Sequence, residues 1–187
     1  MARPSSVRPD RRADSWTDLW VRRMRISLAG VIALLCLAAS ATDASAQVTA
    51  KRGEYLATIM ACADCHTPGL FLGKPDFART LGGSEVGFMV PGLGIFYPPN
   101  LTPDPETGLG RWSEADIVKA LRTGIRPDGR ELAPSMPWRA YAKATDADIR
   151  AVAAYLKSLK PVKNQVPPIT GPNQKPTAPY LSVVMPN

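Results

Sequence analysis

Cys62-Ala63-Asp64-Cys65-His66 gathers two thiols and an imidazole within five residues, and it contains the only histidine of the 187-residue chain. On a helix, residues three apart share a face about one turn apart. Two sulfurs so placed can each add across one vinyl group of a single porphyrin, and a histidine rooted beside them can reach the metal from the tethered side. Cys-x-x-Cys-His therefore reads as an attachment site for one covalent haem c. Three other chemistries use parts of the motif. Structural zinc needs four protein ligands, and the chain has no further Cys or His to add once Cys36 is set aside. A thiol-disulfide enzyme also uses Cys-x-x-Cys but wants a preceding strand and a surrounding sheet. A simple disulfide would leave His66 without a role.

With no second histidine, the sixth position of a haem iron falls to a thioether, and Met/His ligation raises the haem potential. Met60 sits two residues before Cys62, on the attachment side, which leaves Met89, Met136 and Met185. Met136 is favoured and Met89 is the next choice. Pro134 and Pro137 restrict the unfolded chain around Met136 and reduce the entropy lost when its sulfur is fixed.

The elements that must position these groups follow from apolar periodicity. Tyr55, Leu56, Ile59 and Met60 recur at one-turn spacing, predicting an amphipathic helix over 51–63 that runs into the cysteine motif. Residues 67–112 are rich in Gly and Pro and read as loops, with one small hairpin where Pro91-Gly92 suits the centre of a type II turn. Ser113 with Asp116 forms a capping-box pattern before Ile117, Val118 and Leu121, predicting a helix that ends near Gly124. Thr145 and Asp148 repeat that pattern, and Ile149, Val152, Ala153, Leu156 and Leu159 mark the buried side of a helix stopping before Pro161. Seven of the 19 prolines fall in 161–187, which predicts an extended tail whose Tyr180–Met185 patch docks elsewhere.

The first 46 residues read as an export signal. Arg22, Arg23 and Arg25 precede a 16-residue apolar run from Ile26 to Ala41, and Ala44-Ser45-Ala46 offers a cleavage site before Gln47. The run is shorter than the roughly 20 residues that span a bilayer. Translation is expected to begin at Met24. Cleavage would take seven of the 23 basic side chains and four of the 16 acidic ones, leaving 16 against 12 and a charge of +4. That balance gives little support to nucleic-acid binding, which wants basic residues on one face. Cys36 leaves with the signal, so the chain that reaches an oxidising compartment keeps only the motif cysteines. The domain plan is thus 1–46 signal, 47–160 haem domain and 161–187 Pro-rich tail.

Gly53-Glu-Tyr-Leu, Cys62-Ala-Asp-Cys-His-Thr, Tyr97-Pro-Pro-Asn-Leu-Thr-Pro-Asp104, Thr107-Gly-Leu-Gly-Arg-Trp112 and Met136-Pro-Trp138 together resemble a class I cytochrome c domain over about residues 52–160. More narrowly they are similar to the haem domains of cytochrome c subunits serving periplasmic alcohol-type dehydrogenases. The resemblance implies Cys62 and Cys65 as haem tethers, with His66 and Met136 as axial iron ligands. Such subunits commonly carry three haem motifs, whereas this chain has one.

The expected fold is all-α and class I cytochrome c-like, with three main helices around one haem, long Gly/Pro-rich loops, and the first and last helices crossing. Tyr55, Leu56 and Ile59 are expected against Val152, Tyr155 and Leu156. Trp112, Trp138, Arg126 and Arg130 are candidate contacts to the haem propionates. Lys119, Arg122, Arg126, Arg130, Arg139 and Lys143 would steer an acidic partner. The expected function is periplasmic electron transfer from a dehydrogenase to a respiratory acceptor, with no catalysis of its own. A haem enzyme with an open iron position is the alternative. Membrane association is expected only through partners or an uncleaved signal.

Overall fold

Two helices at the start of the domain are separated by two residues, Met60 and Ala61, the second in the left-handed conformation. In the computed structural model, which describes residues 49–186, helix α1 covers 49–59 and helix α2 covers Cys62–His66. Between them Ala61 has φ 56° and ψ 31°. The predicted export signal, with Cys36 and Met24, lies outside the described residues.

Helix α3, Glu114–Thr123, starts on the expected capping box: Ser113 Oγ accepts from the Asp116 amide while the Asp116 carboxylate accepts from the Ser113 amide. Gly124, at φ 73°, ends it by donating its N–H to Ala120 O. A short helix α4, Trp138–Tyr141, follows Pro137. Helix α5, Asp146–Ser158, is capped by Thr145, whose side chain accepts from the Asp148 amide, and it buries Ile149, Ala151, Val152, Ala153 and Leu156. Full burial of side chains such as Ile149 and Val152 contributes about 1.5–3 kcal/mol each. Among the described residues no helix is long and apolar enough to cross a membrane.

Helices α1 and α5 meet at Gly53. A Cβ there would collide with the Ala151 carbonyl and the Tyr155 Cβ, so only glycine lets the backbones approach this closely. That contact sets the phase of α1. Leu56, Ala57 and the half-buried Met60, at i+3, i+4 and i+7 from Gly53, turn inward. Tyr55 and Ile59 consequently face outward, 55% and 60% exposed, which corrects the expected pairing of those two side chains with α5.

A small sheet accompanies the helices, so the all-α expectation is too narrow. Strands β1 (Gly87–Val90) and β2 (Gly94–Phe96) are antiparallel, with Phe88 opposite Phe96 and Met89 opposite Ile95. Their turn has Gly92 at φ 76° and the Leu93 amide donating to Val90 O at 3.0 Å, as a type II turn requires. Strand β3, Tyr180–Leu181, lies parallel to β1 on its other side.

The Pro-rich tail is stitched along the 80–110 segment before it reaches β3. Asn100 Nδ2 donates to Val162 O, Asn164 Nδ2 to Gly82 O, and Ile95 and Thr170 exchange backbone hydrogen bonds. The tail both donates and accepts in these bonds, which order it although its prolines remove backbone donors.

Candidate functional site

Helix α2 carries the cysteine motif. Cys62 is buried, Cys65 is half-buried, and the two are free thiols. Burial pushes the Cys62 thiol up to about 11, opposed in part by a backbone hydrogen bond, and burial raises Cys65 as well. A disulfide-exchanging cysteine needs its thiolate favoured, so these two are poor redox nucleophiles. The described residues also contain no cluster of three or more Cys, His, Asp or Glu arranged to hold a metal ion by themselves.

His66 is buried at the C-terminal end of α2, and its Nδ1 lies 2.7 Å from the carbonyl oxygen of Pro99. A carbonyl can only accept, so Nδ1 carries the proton and donates. Burial lowers the imidazole pKa to about 4, while the hydrogen bond to Pro99 pulls the other way. At neutral pH the ring is therefore uncharged and its Nε2 keeps the lone pair that a metal ligand needs.

The segment that follows Pro99 is held by polar residues of the Tyr97–Asp104 and Thr107–Trp112 motifs, to which the sequence assigned no individual role. Asn100, 1% exposed, accepts at Oδ1 from the Thr102 amide at 2.9 Å and the Thr102 hydroxyl at 2.8 Å. Its Nδ2 donates to Thr107 Oγ1 at 3.0 Å and Val162 O at 2.6 Å. Asp104 Oδ1 accepts from the Thr107 amide and hydroxyl, which helps hold its carboxyl below the usual range. The sequence signal for this network is the Asn-Leu-Thr between Pro99 and Pro103, within the Tyr97–Asp104 motif.

The methionines separate by environment. Met136 packs against the same apolar cluster that contains Cys62, Leu121 and Val152. Met60 also touches that cluster. Met89 lies in β1 opposite Ile95, and Met185 is 77% exposed. Met136 is fixed by short-range bonds: its amide donates to Ala133 O and its carbonyl accepts from Trp138 N.

The four residues singled out for anion contact are brought to one corner. Arg126 stacks over the Trp112 ring at 5.2 Å, and the Arg126 amide donates to Arg130 O. Lost solvation and the nearby Arg126 charge lower the Arg130 pKa against the pull of Asp128. Trp138 packs on Gly124, two residues before Arg126, where a Cβ would collide with the indole. The Trp138 Nε1–H is buried and has no hydrogen-bond partner among the described residues. Such an orphaned donor is costly, roughly 1–3 kcal/mol, unless a ligand accepts from it. Lys157 Nζ fixes the approach to Trp112 by donating to the carbonyls of Leu109, Gly110 and Trp112.

The expected basic ring is less free than its sequence suggested. Arg122 donates to the Ala142 and Ala144 carbonyls and to Asp146, Arg126 pairs with Asp128, and Arg139 pairs with Glu131 at 3.6 Å. Arg122 and Arg126 act first as internal ties, while the Arg139 pair is exposed.

One further side chain reaches the motif. Tyr141, on α4, donates its hydroxyl to Met60 O at 2.6 Å. Burial, then the charges of Cys62 and Cys65 when ionised, push its pKa up to about 12.

The cytochrome c family model matches residues 50–160. The chain is 40% identical over 146 residues to the cytochrome c subunit of a quinone alcohol dehydrogenase from Gluconobacter oxydans, covering 76% of this chain and 28% of that protein. It is 39% identical over 132 residues to the cytochrome c subunit of gluconate 2-dehydrogenase from Pantoea cypripedii, covering 71% and 28%. It is also 35% identical over 112 residues to a diheme cytochrome c-type protein from Cereibacter sphaeroides, covering 60% and 36%. The chain thus spans about a third or less of these relatives' lengths. Because the match takes in the thiol pair, the buried imidazole and the helices that frame them, this chain belongs to the cytochrome c family, whose domain implies a covalent haem c.

Proposed function

We propose that this chain carries one haem c, tethered by Cys62 and Cys65 with His66 and Met136 as axial ligands, and that it transfers single electrons in the periplasm. The donor is a dehydrogenase subunit, as the names of the relatives suggest, and the acceptor belongs to a respiratory chain. The observation that carries the reading is the His66–Pro99 hydrogen bond beside the thiol pair, because it leaves a neutral Nε2 available on the same short helix as both tethers.

The residues fit the group. Two thiols on one helical turn suit two vinyl positions, each addition forming a carbon–sulfur bond and placing the thiol hydrogen on the neighbouring carbon, with no oxidant required. Trp138 offers a buried donor and Arg126 and Arg130 offer positive charge where anionic propionates would be received. Bound haem supplies a one-electron iron couple.

The protein's part is to hold both ligand side chains still. Pro99 fixes the His66 tautomer, and the packing of Met136 keeps its soft sulfur on the apolar cluster shared with Cys62. A thioether held there would occupy the iron position that an oxygen- or peroxide-activating enzyme keeps open, which disfavours catalysis. The sequence contains a single Cys-x-x-Cys-His, supporting one haem per chain. Export through residues 1–46 would deliver the chain to the compartment where such haem is attached. A haem-retaining denaturing gel with a reduced-state visible spectrum tests this reading: one haem-stained band at the mass of the chain supports it, and an unstained band opposes it.

A further inference from the structure

We infer that Asn164, in the Pro-rich tail, is a positioning residue for His66: it fastens the backbone on which the Pro99 acceptor rests, and so sets how strongly the ring donates to the iron. The inference rests on the reading that His66 is an axial ligand of one haem c. His66 is held at two points. Its Nδ1 lies 2.7 Å from Pro99 O, and its own carbonyl accepts from Gly83 N at 2.8 Å. The two holds touch each other, because a Cβ on Gly83 would fall 2.8 Å from Asn100 N and 3.1 Å from the Pro99 carbonyl carbon. Gly82 and Gly83 are buried, and Gly83 has φ 95°. Glycines are the least restricted residues in the chain, so this pair keeps its place only through outside contacts.

The tail supplies them. Asn164 Nδ2 donates to Gly82 O at 2.8 Å, and its Oδ1 accepts from Arg79 Nη1 at 3.0 Å. The Asn164 amide donates to Thr107 Oγ1 at 3.1 Å, the same oxygen that accepts from Asn100 Nδ2. Asn100 contributes the nitrogen of the peptide whose carbonyl faces His66. Asn164 therefore reaches both holds, Gly83 through Gly82 and Pro99 through Thr107 and Asn100. Val166, two residues on, packs its Cγ1 where a Gly83 Cβ would stand. A carbonyl that accepts from a ligating imidazole raises the ring's basicity, and a more basic ligand favours the oxidised metal. Loosening this support should raise the reduction potential.

The test compares variants of the full chain made in a host that attaches haem c, reading the midpoint potential and the His66 Nδ1–H proton resonance of the reduced protein. Asn164→Ala should move the reduced-to-oxidised ratio at fixed voltage about threefold toward reduced, which is about 28 mV upward at ~59 mV per tenfold. It should also shift the Nδ1–H resonance upfield as that hydrogen bond lengthens. Val166→Ala, which trims the contact on Gly83, should move both in the same direction by less, and it decides alone if Asn164→Ala yields no folded protein. Gln165→Ala, whose side chain donates to the adjacent Val166 O, should move neither. Both readouts belong to the folded state, so a residue that only adds stability would lower the melting temperature and leave them unchanged. Wild-type potential and resonance in Asn164→Ala and Val166→Ala, or an equal shift in Gln165→Ala, would overturn the inference. A wild-type chain that carries no haem would overturn the underlying reading and this inference with it, whereas a loaded wild type confines any failure to Asn164.

Discussion

The Nδ1 of His66 sits 2.7 Å from the carbonyl oxygen of Pro99, so the ring's orientation is set by a loop 33 residues away. The folded pKa, about 4, lies below the ordinary 6.5. Between those values the unfolded chain binds the extra proton, so stability is full above pH 6.5 and is lost as pH falls toward 4. The slope is at most about 1.4 kcal/mol per pH unit. The denaturant midpoint of the haem-free chain, in which His66 is unligated, should therefore fall as pH is lowered from 6.5 to 4.5. Asp104, Asp116 and Asp148 have carboxyls held below 3.8 and act only under more acid conditions. A flat midpoint across that window would contradict the buried neutral imidazole.

Asn100→Ala should destabilise the domain by about 1–3 kcal/mol, because Val162 O and both Thr102 groups lose their partner in a buried setting. Chemical denaturation reads this directly. A change below a few tenths of a kcal/mol would mean that the network around Pro99 is redundant.

Gly53→Ala pits two effects against each other. Replacing a mid-helix glycine by alanine ordinarily stabilises by about 0.5–1 kcal/mol. Here the new Cβ meets the Ala151 carbonyl, and overpacking costs about 1–3 kcal/mol. The collision should win, giving a lower melting temperature. A higher one would show that α1 and α5 can separate without loss.

Met136→Ala should abolish the sulfur-to-iron charge-transfer band of the oxidised protein and open the reduced protein to carbon monoxide. The wild type should bind carbon monoxide poorly. Persistence of the band in the variant would pass the role to Met89. Rapid carbon monoxide binding by the wild type would instead favour an enzyme with an open iron position.

What could be read from sequence was local. Ser113 with Asp116 and Thr145 with Asp148 announce helix starts because cap and partner lie three residues apart, and Pro91-Gly92 announces its turn for the same reason. What could not be read depends on distant backbone. The outward turn of Tyr55 and Ile59 follows from the Gly53–Ala151 approach, and β3 exists because Tyr180 meets Gly87 across more than ninety residues. Three members of the basic ring, Arg122, Arg126 and Arg139, are ion-paired with acceptors that spacing alone does not reveal. In the site, the motif Cys62–His66 was legible as five adjacent residues, whereas the bonds of Asn100 to Val162 O and of Tyr141 to Met60 O join residues 62 and 81 apart and leave no local spacing to read.

Intact-mass analysis of the chain produced in a host competent for cytochrome maturation tests the central claim most directly. A mass exceeding the polypeptide by one haem, with neither Cys62 nor Cys65 open to alkylation, is the predicted result. A bare polypeptide bearing two reactive thiols would contradict the account.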